Sequence, residues 1–553
     1  MRFNMKKNKV LNTLLLALLL LPVAGTIPAQ PSDHPAGKPV KEFTNPILSG
    51  FHPDPSICRV GDDYYMVNSS FEWFPGIPIY KSKDLVNWKL IGHGITRPGQ
   101  ADLPPGLPDS RGIYAVTIRH HEGLFYLITT CVQAGGNFYI TASDPAGEWS
   151  DPVWLGSKGI DPSLFWDDDG KCYYVGHGNL SGTNSWPQQN GAWMQELDLT
   201  QRKLVGERTQ LTFGHASNAR WTEGPHLYKI AGKYMLLVAE GGTGFHHGVT
   251  VFHSDSIRGP YIPNHSNPVL THRHLGKDYP IQAVGHSDLV KTQHGDWWAV
   301  ALGKRIQDGH CYLSRETFLT PVRFEWQEHV LTPVFNPGIG RLSTTQQRPF
   351  LPWTPWEKAP IRDDFDDNKL NLEWNFLRTP LTTWHHCKEG ALQIQLRPET
   401  ADSLVNPSLI ARRMEHIKFR IATEMDFRSK KVNEEAGIII YRTSTAYIQC
   451  LRRGNQVVLI SKRRGKRTEE AAIPCGNSPK LLLQAVSDGK KVTFSFGPDE
   501  RNLTVISTTA PLNIISDEEA SGFNGPYVGM YASSNGEKSH NKATFNWFDY
   551  ESK

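Results

Sequence analysis

Asp54-Pro55-Ser56-Ile57, followed by Gly61-Asp62-Asp63-Tyr64-Tyr65, returns little changed as Asp161-Pro162-Ser163-Leu164 followed by Asp169-Gly170-Lys171-Cys172-Tyr173-Tyr174. Each stretch carries a turn opened by an acid, an aliphatic residue, a Gly/Asp turn and an aromatic strand. Three looser copies share the plan: Ala115-Val116-Thr117-Ile118 with Glu122-Gly123-Leu124-Phe125-Tyr126; Glu223-Gly224-Pro225-His226-Leu227 with Ala231-Gly232-Lys233-Tyr234-Met235; and His286-Ser287-Asp288-Leu289 with His294-Gly295-Asp296-Trp297-Trp298. Their leading residues are 61, 46, 62 and 63 positions apart. A hairpin unit repeated at such spacing cannot bury its faces alone and must stack on its neighbours. Five copies predict a five-bladed β-propeller, each blade a four-stranded antiparallel sheet whose inner strand borders a central channel.

That geometry turns a repeat into chemistry, because equivalent positions converge on one axis. The leading positions read Asp54, Ala115, Asp161, Glu223 and His286. A single Asp-Pro-Ser is usually no more than a turn. Two identical copies, with Glu and His at the matching places, instead predict three carboxylates and an imidazole around one cavity. Ionised acids so close repel, so at least one should hold its proton above the usual range. Glycoside hydrolysis needs such a pair: one protonated acid for the leaving oxygen and one carboxylate to activate water or attack the sugar. Glu223 has the longer reach and follows Trp221, whose ring would keep its surroundings apolar. It is the expected general acid, Asp54 the expected general base, and Asp161 a neighbouring charge that raises the pKa of Glu223 and orients it.

The rest of the chain fits an exported all-β protein. Its 553 residues are 39% hydrophobic and 21% charged, with 16 Trp, 38 Pro, 48 Gly and a net charge of +4. That balance gives no basic face for nucleic acid. Arg2, Lys6, Lys7 and Lys9 precede an apolar run from Val10 to Leu21 that is shorter than the ~20 residues of a membrane span, so residues 1–29 read as a cleaved signal peptide. The expected product is periplasmic or secreted, without membrane insertion. Cysteines 58, 131, 172, 311, 387, 450 and 475 lack CxxC spacing and read mostly as buried thiols. The propeller is expected over 40–345 and a Pro/Trp-rich linker over 346–360, from Arg348-Pro349-Phe350-Leu351-Pro352-Trp353-Thr354-Pro355-Trp356. Short apolar runs at 392–396, 438–441, 447–451, 457–460, 481–485 and 492–496 then predict a β-sandwich over 361–553. The basic cluster Lys462-Arg463-Arg464-Gly465-Lys466-Arg467 reads as a solvated hairpin turn.

Asn45-Pro46-Ile47-Leu48-Ser49-Gly50-Phe51-His52-Pro53-Asp54-Pro55-Ser56-Ile57, with Ser69-Ser70-Phe71-Glu72-Trp73-Phe74-Pro75-Gly76 and Ser82-Lys83-Asp84-Leu85-Val86-Asn87-Trp88, closely resembles glycoside hydrolase family 43. The likeness is greatest to its β-xylosidase and α-L-arabinofuranosidase branches with a C-terminal concanavalin-like sandwich. It implies an exo-acting, inverting pentosidase on plant cell-wall oligosaccharide or polysaccharide, β-D-xylosidase ahead of α-L-arabinofuranosidase. It also implies the roles already given to Asp54, Asp161 and Glu223, and, for inversion, acid and base carboxyls about 6.5–9.5 Å apart. By the same resemblance Phe71 is an aromatic wall of the sugar subsite and Arg315 a contact for sugar hydroxyls. Tyr114 is a neighbouring contact, Glu240–His247 a subsite loop offering His246 or His247, and Phe523 a residue of a sandwich loop that closes the pocket. No cofactor is required. The resemblance leaves open a structural calcium beside His286 and a homo-oligomer.

Overall fold

The computed structural model describes residues 42–553, so the leader over 1–29 lies outside the described residues. Five antiparallel sheets follow one another along the chain in sequence order, four of them four-stranded and the fourth in line five-stranded, with the short strand Leu270–Thr271 added beside Gly248–Ser254. Their first strands are Ser56–Val60, Gly112–His121, Ser163–Trp166, Glu223–Ile230 and Ile281–Lys291. Each of these lies against the first strands of the preceding and following sheets, and the fifth lies against the first, so the ring closes as a five-bladed propeller. The hairpin turns follow from their residues. Glu122-Gly123 (φ 48° and 80°) and Ala231-Gly232 (φ 51° and 77°) put both central residues in the left-handed region, as tight two-residue hairpins require.

Among the described residues no strand is exchanged between first and last blades. A ribbon of Glu42–Thr44 paired with Thr345–Gln347 joins the two ends instead, and the Asn45 side chain donates to the carbonyls of Leu319 and Ser343. Beyond it the 346–360 stretch docks on the first blade. The backbone N–H of Thr354 donates to Asp84 (2.9 Å), the Trp356 indole donates to the Asn87 carbonyl (3.1 Å), and Trp353 stays largely exposed.

The C-terminal part is a sandwich of a nine-stranded and an eight-stranded sheet. One strand of the latter comes from the propeller. Trp73–Phe74 leaves the first blade and pairs with Asn375–Leu377, and the fully buried Trp73 ring stacks on Tyr527 at 3.6 Å. Glu72 beside it bonds across the junction, accepting from Asn524 (2.5 Å), and within the propeller it accepts from the Ser110 backbone N–H (3.0 Å). All seven cysteines are free, five of them buried. The basic hairpin turn is largely neutralised, with Arg463 and Arg464 on Glu519 and Lys462 on Asp402.

Candidate active site

On the propeller axis the openings of the five inner strands form a cavity lined by Asp54, Ala115, Asp161, Glu223, His286 and Arg315, with Phe71, Tyr114, His247 and Phe523 around it. Asp54 (φ 51°), Asp161 (φ 54°) and His286 (φ 44°) all hold left-handed backbone, the first two just before a strand and His286 at a break in strand pairing between Gly285 and Ser287, and all three line the channel. The fourth blade departs from the pattern expected from sequence. The residue matching Asp54, Asp161 and His286 is Gly224 (φ 57°), and Glu223 precedes it by one, at an irregularity of the strand pairing between Glu223 and His226. A Cβ on Gly224 would come within 3.0 Å of the His286 ring, so the true repeat position is kept empty and the acid enters from beside it.

Partners separate the three acids. Asp54 accepts from Ser69 Oγ (2.6 Å) and from Arg315 Nη1 (2.7 Å), and His286 Nδ1 is 3.8 Å away. Burial alone would raise its pKa, but Arg315, His286 and Ser69 together hold it below the usual carboxylate value. Among the described residues the Glu223 side chain makes no hydrogen bond or ion pair. Burial, reinforced by the charges of Asp161 and Asp54, pushes its pKa well above the usual value. Asp161 lies between these cases, raised to about 6 by burial and the Asp54 charge against the pull of His286, the Gly224 N–H and Arg315.

Trp221 does not supply the apolar wall expected of it. Its ring lies over Gly242 and is 37% exposed, outside the cavity lining, so burial and like charge, not an indole face, account for Glu223.

The walls are aromatic and cationic. Arg315 bridges the two halves of the molecule: Nη1 on Asp54, Nη2 on the Phe523 carbonyl (2.7 Å), and its guanidinium 5.2 Å from the Phe71 ring centre and 5.8 Å from that of Phe523. Its chain neighbour Glu316 is taken by Arg305 instead. The Phe71 ring stacks at 6.3 Å on Phe523, whose backbone N–H donates to Ser110 Oγ (2.8 Å). Tyr114 accepts from Arg111 (2.6 Å) and lies 5.0 Å from Phe71. Of the two adjacent histidines, His246 is exposed and His247 buried. The His247 Nδ1 is on the Ala283 carbonyl (2.9 Å), and burial lowers its pKa to about 3, so the ring is neutral. Gly285 makes room for that ring, since a Cβ there would fall 2.5 Å from Nε2. Sequence reasoning missed Ser69, Ser110 and Gly224; the first lay inside the Ser69-Ser70-Phe71 motif, where a hydroxyl two residues before an aromatic wall was a usable signal.

Two residues further along each copy a second layer closes the channel below. Asp288, fully buried, accepts from Arg119 (2.8 and 3.1 Å), Ser56 Oγ (2.6 Å), Tyr228 (2.6 Å) and the backbone N–H of Ile57 (3.0 Å), and His226 meets Arg119 at 3.0 Å. Among the described residues no group of three or more His, Cys, Asp or Glu side chains is placed to hold a metal ion. Calcium takes six to eight oxygen ligands. Beside His286 the oxygens are those of Asp54, already held by Arg315 Nη1 (2.7 Å) and Ser69 Oγ (2.6 Å), which does not fit such a cage.

The arrangement offers a proton-holding acid and an ionised base in one blind, aromatic-walled cavity, and known proteins share it. Residues 43–329 match the family described as glycosyl hydrolases family 43, and residues 362–551 match the beta xylosidase C-terminal concanavalin A-like domain. A xylosidase/arabinosidase of Butyrivibrio fibrisolvens is 39% identical over 530 residues, 92% of this chain and 99% of that protein. A non-reducing end alpha-L-arabinofuranosidase of Bacteroides ovatus is 38% identical over 524 residues, covering 92% and 95%. The crystal structure of a xylan beta-1,4-xylosidase from Bacillus halodurans superposes with a TM-score of 0.85 at 35% identity, over 92% of this chain and all of that one. With its propeller and its sandwich both matched, the chain belongs to glycosyl hydrolase family 43 and is a glycoside hydrolase.

Proposed function

We propose that the enzyme removes terminal pentose from plant cell-wall saccharides with inversion, acting first on β-D-xylosides. The observation that carries this reading is the opposite displacement of two acids in one cavity, Asp54 held ionised and Glu223 held protonated. Glu223 gives its proton to the glycosidic oxygen as the C1–O bond breaks. Asp54 takes a proton from the water that attacks C1 on the opposite face, and a lone pair on each of its oxygens remains for that water beside Ser69 and Arg315. Asp161, ionised above about pH 6, keeps the Glu223 proton in place.

The layer of Arg119 and Asp288 beneath the cavity and Phe523 beside it support exo action, because only a chain end enters a blind pocket. One relative named as an alpha-L-arabinofuranosidase and another named as a xylosidase/arabinosidase support α-L-arabinofuranosides as the second substrate class. The basic-then-apolar leader supports export to the periplasm or medium. Parallel hydrolysis of aryl β-D-xyloside and aryl α-L-arabinofuranoside, with product anomers followed by NMR in the first minutes, tests the proposal. Faster release of α-xylose from the β-xyloside is expected; net retention would refute the mechanism, and preference for the arabinofuranoside would reverse the order of substrates.

A further inference from the structure

A second cavity lies at the junction of propeller and sandwich, next to the axial site and distinct from it. At about 280 Å³ it is near the lower end of the ~300–1,000 Å³ usual for small-molecule sites. Its walls carry polar groups left without partners. Arg413 is 5% exposed, yet among the described residues it makes no salt bridge; its Nε donates to the Phe51 carbonyl (2.9 Å), and its Nη2 is buried with no acceptor. Arg412 is paired with Glu373 (2.6 Å) but leaves its Nε buried and unused. The Glu415 carboxylate, which also faces the cavity, makes no ion pair among the described residues. Unused buried donors are costly unless something bound there accepts from them.

The chemistry of the occupant follows from the balance of the walls. Two guanidinium groups face two carboxylates, and burial holds the pKa of the His52 and His416 rings below the usual value and favours their neutral forms, so the cavity has no net charge to attract an anion or a cation. It offers donors from arginine and acceptors from glutamate, the complement of a ligand whose groups both donate and accept. Trp88, half-buried, and Tyr80 add flat apolar faces. We propose that the junction cavity is a second carbohydrate site that binds a neutral sugar through Arg413, Arg412 and Glu415 with Trp88 as its platform; only the choice of pentose rests on the proposed activity. The wall segment continues into the catalytic one, since the backbone N–H of His52 donates to the Arg315 carbonyl (3.0 Å), two residues before Asp54.

Crystals of the whole enzyme soaked in D-xylose should show sugar in the junction cavity as well as on the axis. Titration calorimetry with D-xylose should resolve two classes of site. Trp88→Ala should abolish one class while aryl-pentoside turnover stays within about twofold. Arg413→Met should weaken the same class at least about tenfold; should that variant not fold, Trp88→Ala and the soak carry the test. Water alone in the junction cavity beside an occupied axial site overturns the proposal, as does saturable binding there of acetate or phosphate without sugar. If neither aryl pentoside is hydrolysed, the activity reading falls separately. Soaks with D-glucose and D-galactose then address the junction cavity directly, and water alone in them again overturns the proposal.

Discussion

Two layers of one repeat are stacked on the propeller axis, and they treat a buried acid in opposite ways. The upper layer opens each copy, with Asp54, Ala115, Asp161, Gly224 and His286. The lower lies two residues on, with Ser56, Thr117, Ser163, His226 and Asp288. Asp288 is fully buried, and Glu223 is partly buried in the cavity wall. Burial would raise the pKa of Asp288 too, but Arg119, His226 and Ser56 hold it far below the usual value. Glu223 has no such partners and keeps its proton. Burial is common to both layers, so the supply of donors decides which acid holds the fold together and which one does chemistry.

Substitution can break this contrast. The largest effect is expected from Glu223→Gln and Asp54→Asn, each lowering kcat by about 10²–10⁴-fold. For Glu223→Gln the urea midpoint should not fall, because no bond is lost; near-normal turnover in either variant would remove the acid and base assignment. Asp288→Asn should do the reverse, costing about 3–5 kcal/mol of unfolding free energy by leaving Arg119 buried without its counter-charge. A loss below about 1 kcal/mol in urea titration would make the two layers alike.

The smallest change, and the sharpest, is Asp161→Asn. The charge of Asp161 helps hold the proton on Glu223, so removing it lowers the pKa of Glu223 and the protonated acid is lost at lower pH. The alkaline limb of kcat/KM against pH should move down by about one unit. The acidic limb, set by ionisation of Asp54, has no reason to rise. An unmoved alkaline limb would leave Asp161 without its assigned part.

Much of this was legible in the sequence, and the failures have physical causes. Five of the six apolar runs read in the C-terminal part fall within strands and the first overruns Leu392–Gln395 by one residue, because burial on a sheet face leaves a local signature. The five repeat copies each fall on an inner strand or immediately before it for the same reason. The fourth copy was aligned on its acid, whereas its Pro225 and Leu227 match Pro55 and Ile57 and put Gly224, not Glu223, at the equivalent place. Trp221 was assigned a contact from adjacency in sequence, but its left-handed backbone (φ 47°) carries the ring elsewhere. The capture of Trp73–Phe74 by the sandwich could not be read from periodicity. Two residues hold too little pattern, and their partners are about 300 positions away.

That captured strand bears on how such a protein can be recombined. The Pro-rich stretch at 346–360 looks like the natural place to cut and exchange catalytic modules. A chimera joined there would import a sandwich whose Asn375–Leu377 edge and Tyr527 face were shaped for another protein's intruding dipeptide. A mismatched pair would leave a tryptophan and an open sheet edge at the seam, where chains aggregate. The unit of inheritance is therefore propeller and sandwich together, and a workable graft would have to carry residues 72–74 along with the domain they join.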